Sequence, residues 1–131
     1  MSVDSVVARL STMAIDTVVL TGGEPLLQQR RLVPLTEQFR RLRWKTHVET
    51  AGTIAWQQEP KLIDSWVVSP KLANSGMTAR RRLRFDVLRG FVDLGAQFKF
   101  VCVEPEDLKE IEHIAAKVDI PPSSIWVMAE G

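Results

Sequence analysis

Five short runs of β-branched and apolar residues recur along the chain, and helical or long connections separate them. That alternation restricts the fold more than any other feature. The runs are TVVLT (17–21), KTHVET (45–50), WVVS (66–69), QFKFVCV (97–103) and a last strand within IPPSSIWVM (120–128). Leu32, Leu35, Phe39 and Leu42 recur at helical spacing after the first run, and Leu83, Val87, Phe91 and Leu94 before the fourth. PEDLKEIEHIAAKV is a strongly patterned helix with acidic residues in its first turn, where the helix dipole favours them. VVARLSTMA (6–14) reads as a short opening helix. Strands spaced in this way pair in parallel through right-handed crossovers, so the expected fold class is α/β, in one domain over residues 1–131. TVVLT is apolar on both faces and is expected to be covered on both sides. Pro34 predicts a break or restart near the beginning of the second helix. Gly90 weakens the helix it sits in.

Composition removes several function classes. The net charge of +1 over 131 residues gives no support for polyanion binding as the main task. No apolar run reaches the roughly 18 residues needed to cross a bilayer, and MSVDSVVARL lacks the charged and apolar regions of a secretion signal. The single cysteine, Cys102, forbids an internal disulfide and fits a reducing compartment, so the cytoplasm is expected. Cys102 shares a strand face with Phe98 and Phe100 and reads as packing.

Parallel α/β sheets place their sites at the carboxyl ends of the strands. Four stretches fall there: TGGEP, ETAGT, SPKLANSG and MAEG. In TGGEP, Gly22 and Gly23 allow a sharp turn and close backbone approach. A phosphate would suit the helix start that follows, but Glu24 sets a negative charge at that spot and no Lys-Ser/Thr follows as in a P-loop. A ligand ammonium suits it better; a plain tight turn with Glu24 stabilising the helix start is the alternative. Ser69, Pro70 and the cation Lys71 follow a strand directly, where Lys71 can hold a carboxylate or simply stand in solvent. Glu24 and Lys71 at neighbouring strand ends are expected to grip the two ends of one amino acid.

Strand alternation sends Gln97, Lys99 and Val101 to one face, and puts Lys45, His47 and Glu49 together on another. A lysine within a sheet needs a partner or a wet cavity, which makes Lys99 a candidate ligand contact. His47 and Glu49 are candidate polar lining or a structural hydrogen bond. RRRLR (80–84) lacks an aromatic platform beside it and reads as a solvated helix face rather than a nucleic-acid site.

TGGEPLLQ, HVETAGT, SPKLANSG, FKFVC followed by PEDL, and IPPSSIWVMAEG, in that order over nearly the whole chain, resemble the radical S-adenosylmethionine (SAM) superfamily. Within it they are similar to the 7-carboxy-7-deazaguanine synthase family. The resemblance implies a partial (β/α) barrel of parallel strands, missing its first βα unit. It implies a SAM site of Gly23, Glu24, Ser69, Pro70, Lys71, Met128, Ala129, Glu130 and Gly131, with Glu24 at the methionine ammonium and Lys71 at its carboxylate. Substrate contacts are implied at Thr21, Glu49 and Lys99, the substrate being the pterin 6-carboxy-5,6,7,8-tetrahydropterin. The implied activity is ring contraction to 7-carboxy-7-deazaguanine with loss of ammonia, through a [4Fe–4S] cluster that cleaves SAM to a radical, with Mg²⁺ at the substrate. Family members resemble one another in being homodimers.

The resemblance also shows departures. Ala51 stands where the family often has Asn, and Ala129 where Pro is usual. The family's three cluster cysteines come from a CxxxCxxC-type loop upstream of TGGEP, and none of the 16 residues before Thr17 is cysteine. The expectation is therefore the carboxyl-terminal part of a synthase, with no metal ligands of its own, inactive as this chain, and with TVVLT as an open apolar edge prone to self-association. Other readings are a non-catalytic SAM-binding module, another radical SAM member such as a glycyl-radical activating enzyme, and a split enzyme whose cysteine loop lies on a second polypeptide.

Overall fold

The structure is a computed structural model that describes all residues, Met1–Gly131. Strands β1 (Thr17–Leu20), β2 (Lys45–Thr50), β3 (Ser65–Val68), β4 (Gln97–Cys102) and β5 (Ile125–Ala129) form one sheet in the order β1-β2-β3-β4-β5, every pair parallel. The unbroken order is informative. A doubly wound sheet reverses its order at a switch point and carries helices on both faces. Without a reversal, right-handed crossovers all pass over the same face. The outcome is an arc of (β/α) barrel with one helix-covered face and one open face, as expected.

Alternation along the strands matches these two faces. Thr46, Val48 and Thr50 of β2, Trp66 and Val68 of β3, and Phe98 and Phe100 of β4 are buried against the helices. Lys45, His47, Glu49, Gln97 and Lys99 occupy the opposite, open face. Helices α1 (Val3–Ser11), α2 (Gln29–Arg41), α3 (Ala79–Arg82), α4 (Phe85–Asp93) and α5 (Asp107–Val118) complete the chain. Leu88 and Phe91 of α4 and Ile111, Ile114 and Val118 of α5 close the core over β3 and β4. Burying each such side chain stabilises the fold by about 1.5–3 kcal/mol. Gly52 makes the sharp exit from β2: its φ is +77°, and a Cβ there would lie 2.7 Å from both Leu88 Cδ2 and Val68 Cγ1.

Several expectations are corrected. β1 is not covered on both sides: it pairs with β2 alone, and none of its four residues is buried. Pro34 does not break α2, which continues through it. Arg30, whose carbonyl loses its helical donor there, is exposed, so water can serve that oxygen. The stripe from Leu83 to Leu94 is not one helix: Leu83 and Arg84 are extended (ψ 104° and 91°) and divide α3 from α4. Leu42 and Leu94, expected inward, cap the ends of their helices and stay exposed.

Candidate functional site

The carboxyl ends of β1–β4 surround a cavity of about 270 Å³. Thr21, Gly22 and Gly23 enter it from the loop after β1, Glu49, Thr50 and Ala51 from the end of β2, Ser69 and Lys71 from the loop after β3, and Lys99 and Val101 from β4. A second cavity of about 210 Å³ shares Ser69, Lys71 and Val101 and adds Pro70, Asn74 and Glu130 to its walls. Two lysines and one carboxylate, Glu49, therefore converge on the main cavity. Thr21 Oγ1 donates to Glu49 Oε2 at 3.2 Å, fixing the first and second strand ends to each other. His47 lies one step down the same face and is not the partner of Glu49.

Glu24 takes a different place from the one expected. Its Oε1 accepts from the Leu26 N–H at 3.1 Å and from Thr50 Oγ1 at 2.7 Å, and its Oε2 accepts from the Ala51 N–H at 3.0 Å. One carboxylate thus caps the 3₁₀ turn Pro25–Gln28 and ties it to the end of β2. Glu24 does not border the cavity that Lys71 lines, so the two do not face each other across one space; the acidic group in that wall is Glu49. Gly22 takes φ +111° in the turn that leads from β1 to Glu24.

The end of the last strand reaches these cavities at one residue. Glu130 lines the second cavity, and its N–H donates to the Cys102 carbonyl at 2.9 Å. Met128, Ala129 and Gly131 line neither cavity. Burial first, and the nearby Asp107 carboxylate second, push the Cys102 thiol above its ordinary value, which opposes a ligating thiolate.

The loop that carries Lys71 is held by Arg82, Glu110, Asn74 and Asp107, to which the sequence assigns no role at the site. Arg82 is buried, not part of a solvated face: Nη1 pairs with Glu110 Oε1 and donates to the Lys71 carbonyl at 3.0 Å, while Nε donates to the Met77 carbonyl at 3.1 Å. Glu110 Oε2 accepts from the Ala73 N–H at 3.0 Å. Asn74 Nδ2 donates to Asp107 Oδ2 at 2.9 Å and to the Val101 carbonyl at 3.1 Å. Asp107 Oδ2 also accepts from the N–H groups of Val103 and Glu104, at 2.8 and 3.1 Å. The Asn74 bond first, then these two, hold the Asp107 carboxyl below its ordinary value against its burial. Nothing in RRRLR distinguishes Arg82 from its exposed neighbours Arg80, Arg81 and Arg84.

A family model described as a 4Fe-4S single cluster domain matches residues 2–85, more than half of the chain. The chain is 38% identical to 7-carboxy-7-deazaguanine synthase of Halobacterium salinarum, over 90% of this chain and 51% of that protein. It is 34% identical to the synthase of Pyrobaculum aerophilum, over 98% of this chain and 56% of that protein. The chain thus spans about half the length of the curated relatives it matches. The crystal structure of QueE from Escherichia coli has a similar fold, with a TM-score of 0.75 and 23% identity, covering 100% of this chain and 55% of that one.

The residues present do not fit a [4Fe–4S] cluster. Such clusters are held by several thiolates, whereas Cys102 stands alone and no three His, Cys, Asp or Glu side chains are grouped to hold a metal ion. No helix is long and apolar enough to cross a membrane. The chain belongs to the 4Fe-4S single cluster domain family, and it is similar, over about half of their length, to the 7-carboxy-7-deazaguanine synthases.

Proposed function

We propose that this chain supplies the SAM-holding and substrate-holding wall of a 7-carboxy-7-deazaguanine synthase, with the cluster ligands contributed by residues outside these 131. The observation that carries the reading is the convergence of Lys71, Lys99 and Glu49 on one cavity at the strand ends, beside the two glycines of TGGEP. Lys71 meets the carboxylate of SAM, and Ser69 and Pro70 border its amino-acid part. The SAM ammonium lies against the loop at Gly22 and Gly23 rather than against the Glu24 carboxylate, which the Leu26 and Ala51 N–H groups and the Thr50 hydroxyl already engage. Glu130 borders the nucleoside side, supported by its place in the adjoining cavity.

The pterin-type substrate occupies the open face of the arc, where Thr21, Glu49 and Lys99 present a hydroxyl oxygen, a carboxylate and a cation. Lys99 is suited to a substrate carboxylate, and Glu49 to the N–H groups of a pterin ring. SAM supplies the radical chemistry when bound, and this chain's residues position the reactants. No three His, Cys, Asp or Glu side chains form an all-protein metal cage here, so Mg²⁺ in this reading is held largely by the substrate and water, as that ion commonly is. The working enzyme is a cytoplasmic homodimer in this reading.

Titration calorimetry of the chain with SAM tests the proposal. A saturable heat that Lys71→Ala reduces supports it, and identical isotherms for the two proteins contradict it. Turnover of the pterin is expected only when a polypeptide with a CxxxCxxC loop is co-expressed and iron is incorporated; turnover by the isolated chain would oppose the proposed division of labour.

A further inference from the structure

Lys71 is exposed, and most of the segment after it is exposed too: from residue 71 to 80 only Leu72 is buried. A loop with so few apolar contacts is mobile unless its backbone is tied down. Arg82 and Glu110 tie it. Three backbone groups of this one loop, the carbonyls of Lys71 and Met77 and the N–H of Ala73, bond to the pair. Arg82 is only 6% exposed. Burying an ion pair is a poor way to gain stability, because well-packed apolar side chains of the same volume often do as well. A planar fork with fixed donor directions instead specifies geometry.

We propose that Arg82, oriented by Glu110, is a positioning residue that sets where the Lys71 ammonium stands in the ligand cavity. The Lys71 carbonyl accepts from Arg82 Nη1 while the residue lines both cavities, so the guanidinium fixes the base from which the lysine reaches. Arg82 touches no ligand and works only through Lys71. The inference rests on the proposed role of Lys71 at a ligand carboxylate.

The test is a double-mutant cycle on the whole chain, with SAM affinity from calorimetry and amide exchange of residues 69–77 by mass spectrometry. Arg82→Met is expected to weaken SAM binding by about tenfold, the size of one charge-assisted hydrogen bond. In a Lys71→Ala background the same change should shift affinity by less than about twofold, because coupled sites are not additive. Loop amides, Ala73 foremost, should exchange faster in Arg82→Met without SAM. Arg82→Lys keeps the charge without the fork; it should leave the thermal midpoint close to the parent's and still weaken binding. Equal losses in both backgrounds would overturn the positioning role, and so would unchanged loop exchange in Arg82→Met. If Lys71→Ala alone leaves SAM affinity unchanged, the reading of Lys71 fails instead, and loop exchange still reports on the Arg82 latch.

Discussion

At the scale of single residues, the site is a set of side chains that hold strand ends together while leaving other side chains free to meet a ligand. Glu24 belongs to the first group and Lys71 to the second. Glu24→Gln is expected to destabilise the fold by about 1–3 kcal/mol, because an amide NH₂ then meets a backbone N–H or a hydroxyl that needs an acceptor. Urea unfolding measures this. Gly52→Ala is expected to cost about 2–5 kcal/mol, combining a strained left-handed backbone with overpacking on Leu88 and Val68. Glu24 also shows where sequence reading stops. Its place after two glycines at a strand end marked it as important, and that was legible. Whether it serves a ligand or the protein depended on Thr50 and the Ala51 N–H, which lie 26 and 27 residues away and become its neighbours only through the β1–β2 pairing.

At the scale of elements, local pattern was a good guide wherever the core face decided it. β2 coincides with its expected span because Thr46, Val48 and Thr50 alternate with polar residues, and α5 follows its apolar spacing. Pattern failed where a polar contact overrode it. Leu83, Val87, Phe91 and Leu94 keep helical spacing, yet the chain is extended at Leu83 and Arg84, next to the point where Arg82 turns inward to the Lys71 loop. The start of α5 depends on the Asp107 carboxylate, which receives N–H groups from Val103, Glu104 and Asn74. With its folded carboxyl held below the ordinary value, this anchor contributes fully above the unfolded value of about 3.9 and is lost as pH falls through the folded one. Denaturant unfolding from pH 6 down to pH 2 should therefore show a loss of stability that is shallower in Asp107→Asn.

At the scale of the whole molecule, the arc has two free edges. β1 pairs only with β2 and β5 only with β4, and Val19, Trp126, Val127 and Met128 are exposed along them. Parallel strands with unpaired edges invite further pairing. The isolated chain is expected to elute from size-exclusion chromatography larger than its 14.8 kDa, and Val19→Lys, which sets a charge on the β1 edge, should shift it toward the monomer. The open face is where the arc turns polar, with Lys45, His47, Glu49, Gln97 and Lys99 in place of the buried aromatic residues of the other face. A SAM titration followed by backbone amide NMR tests the account most directly. Shifts confined to Thr21–Gly23, the end of β2, the Ser69–Lys71 loop and Glu130 are the predicted result; shifts at the amino-terminal ends of the strands, or none at saturating SAM, would contradict it.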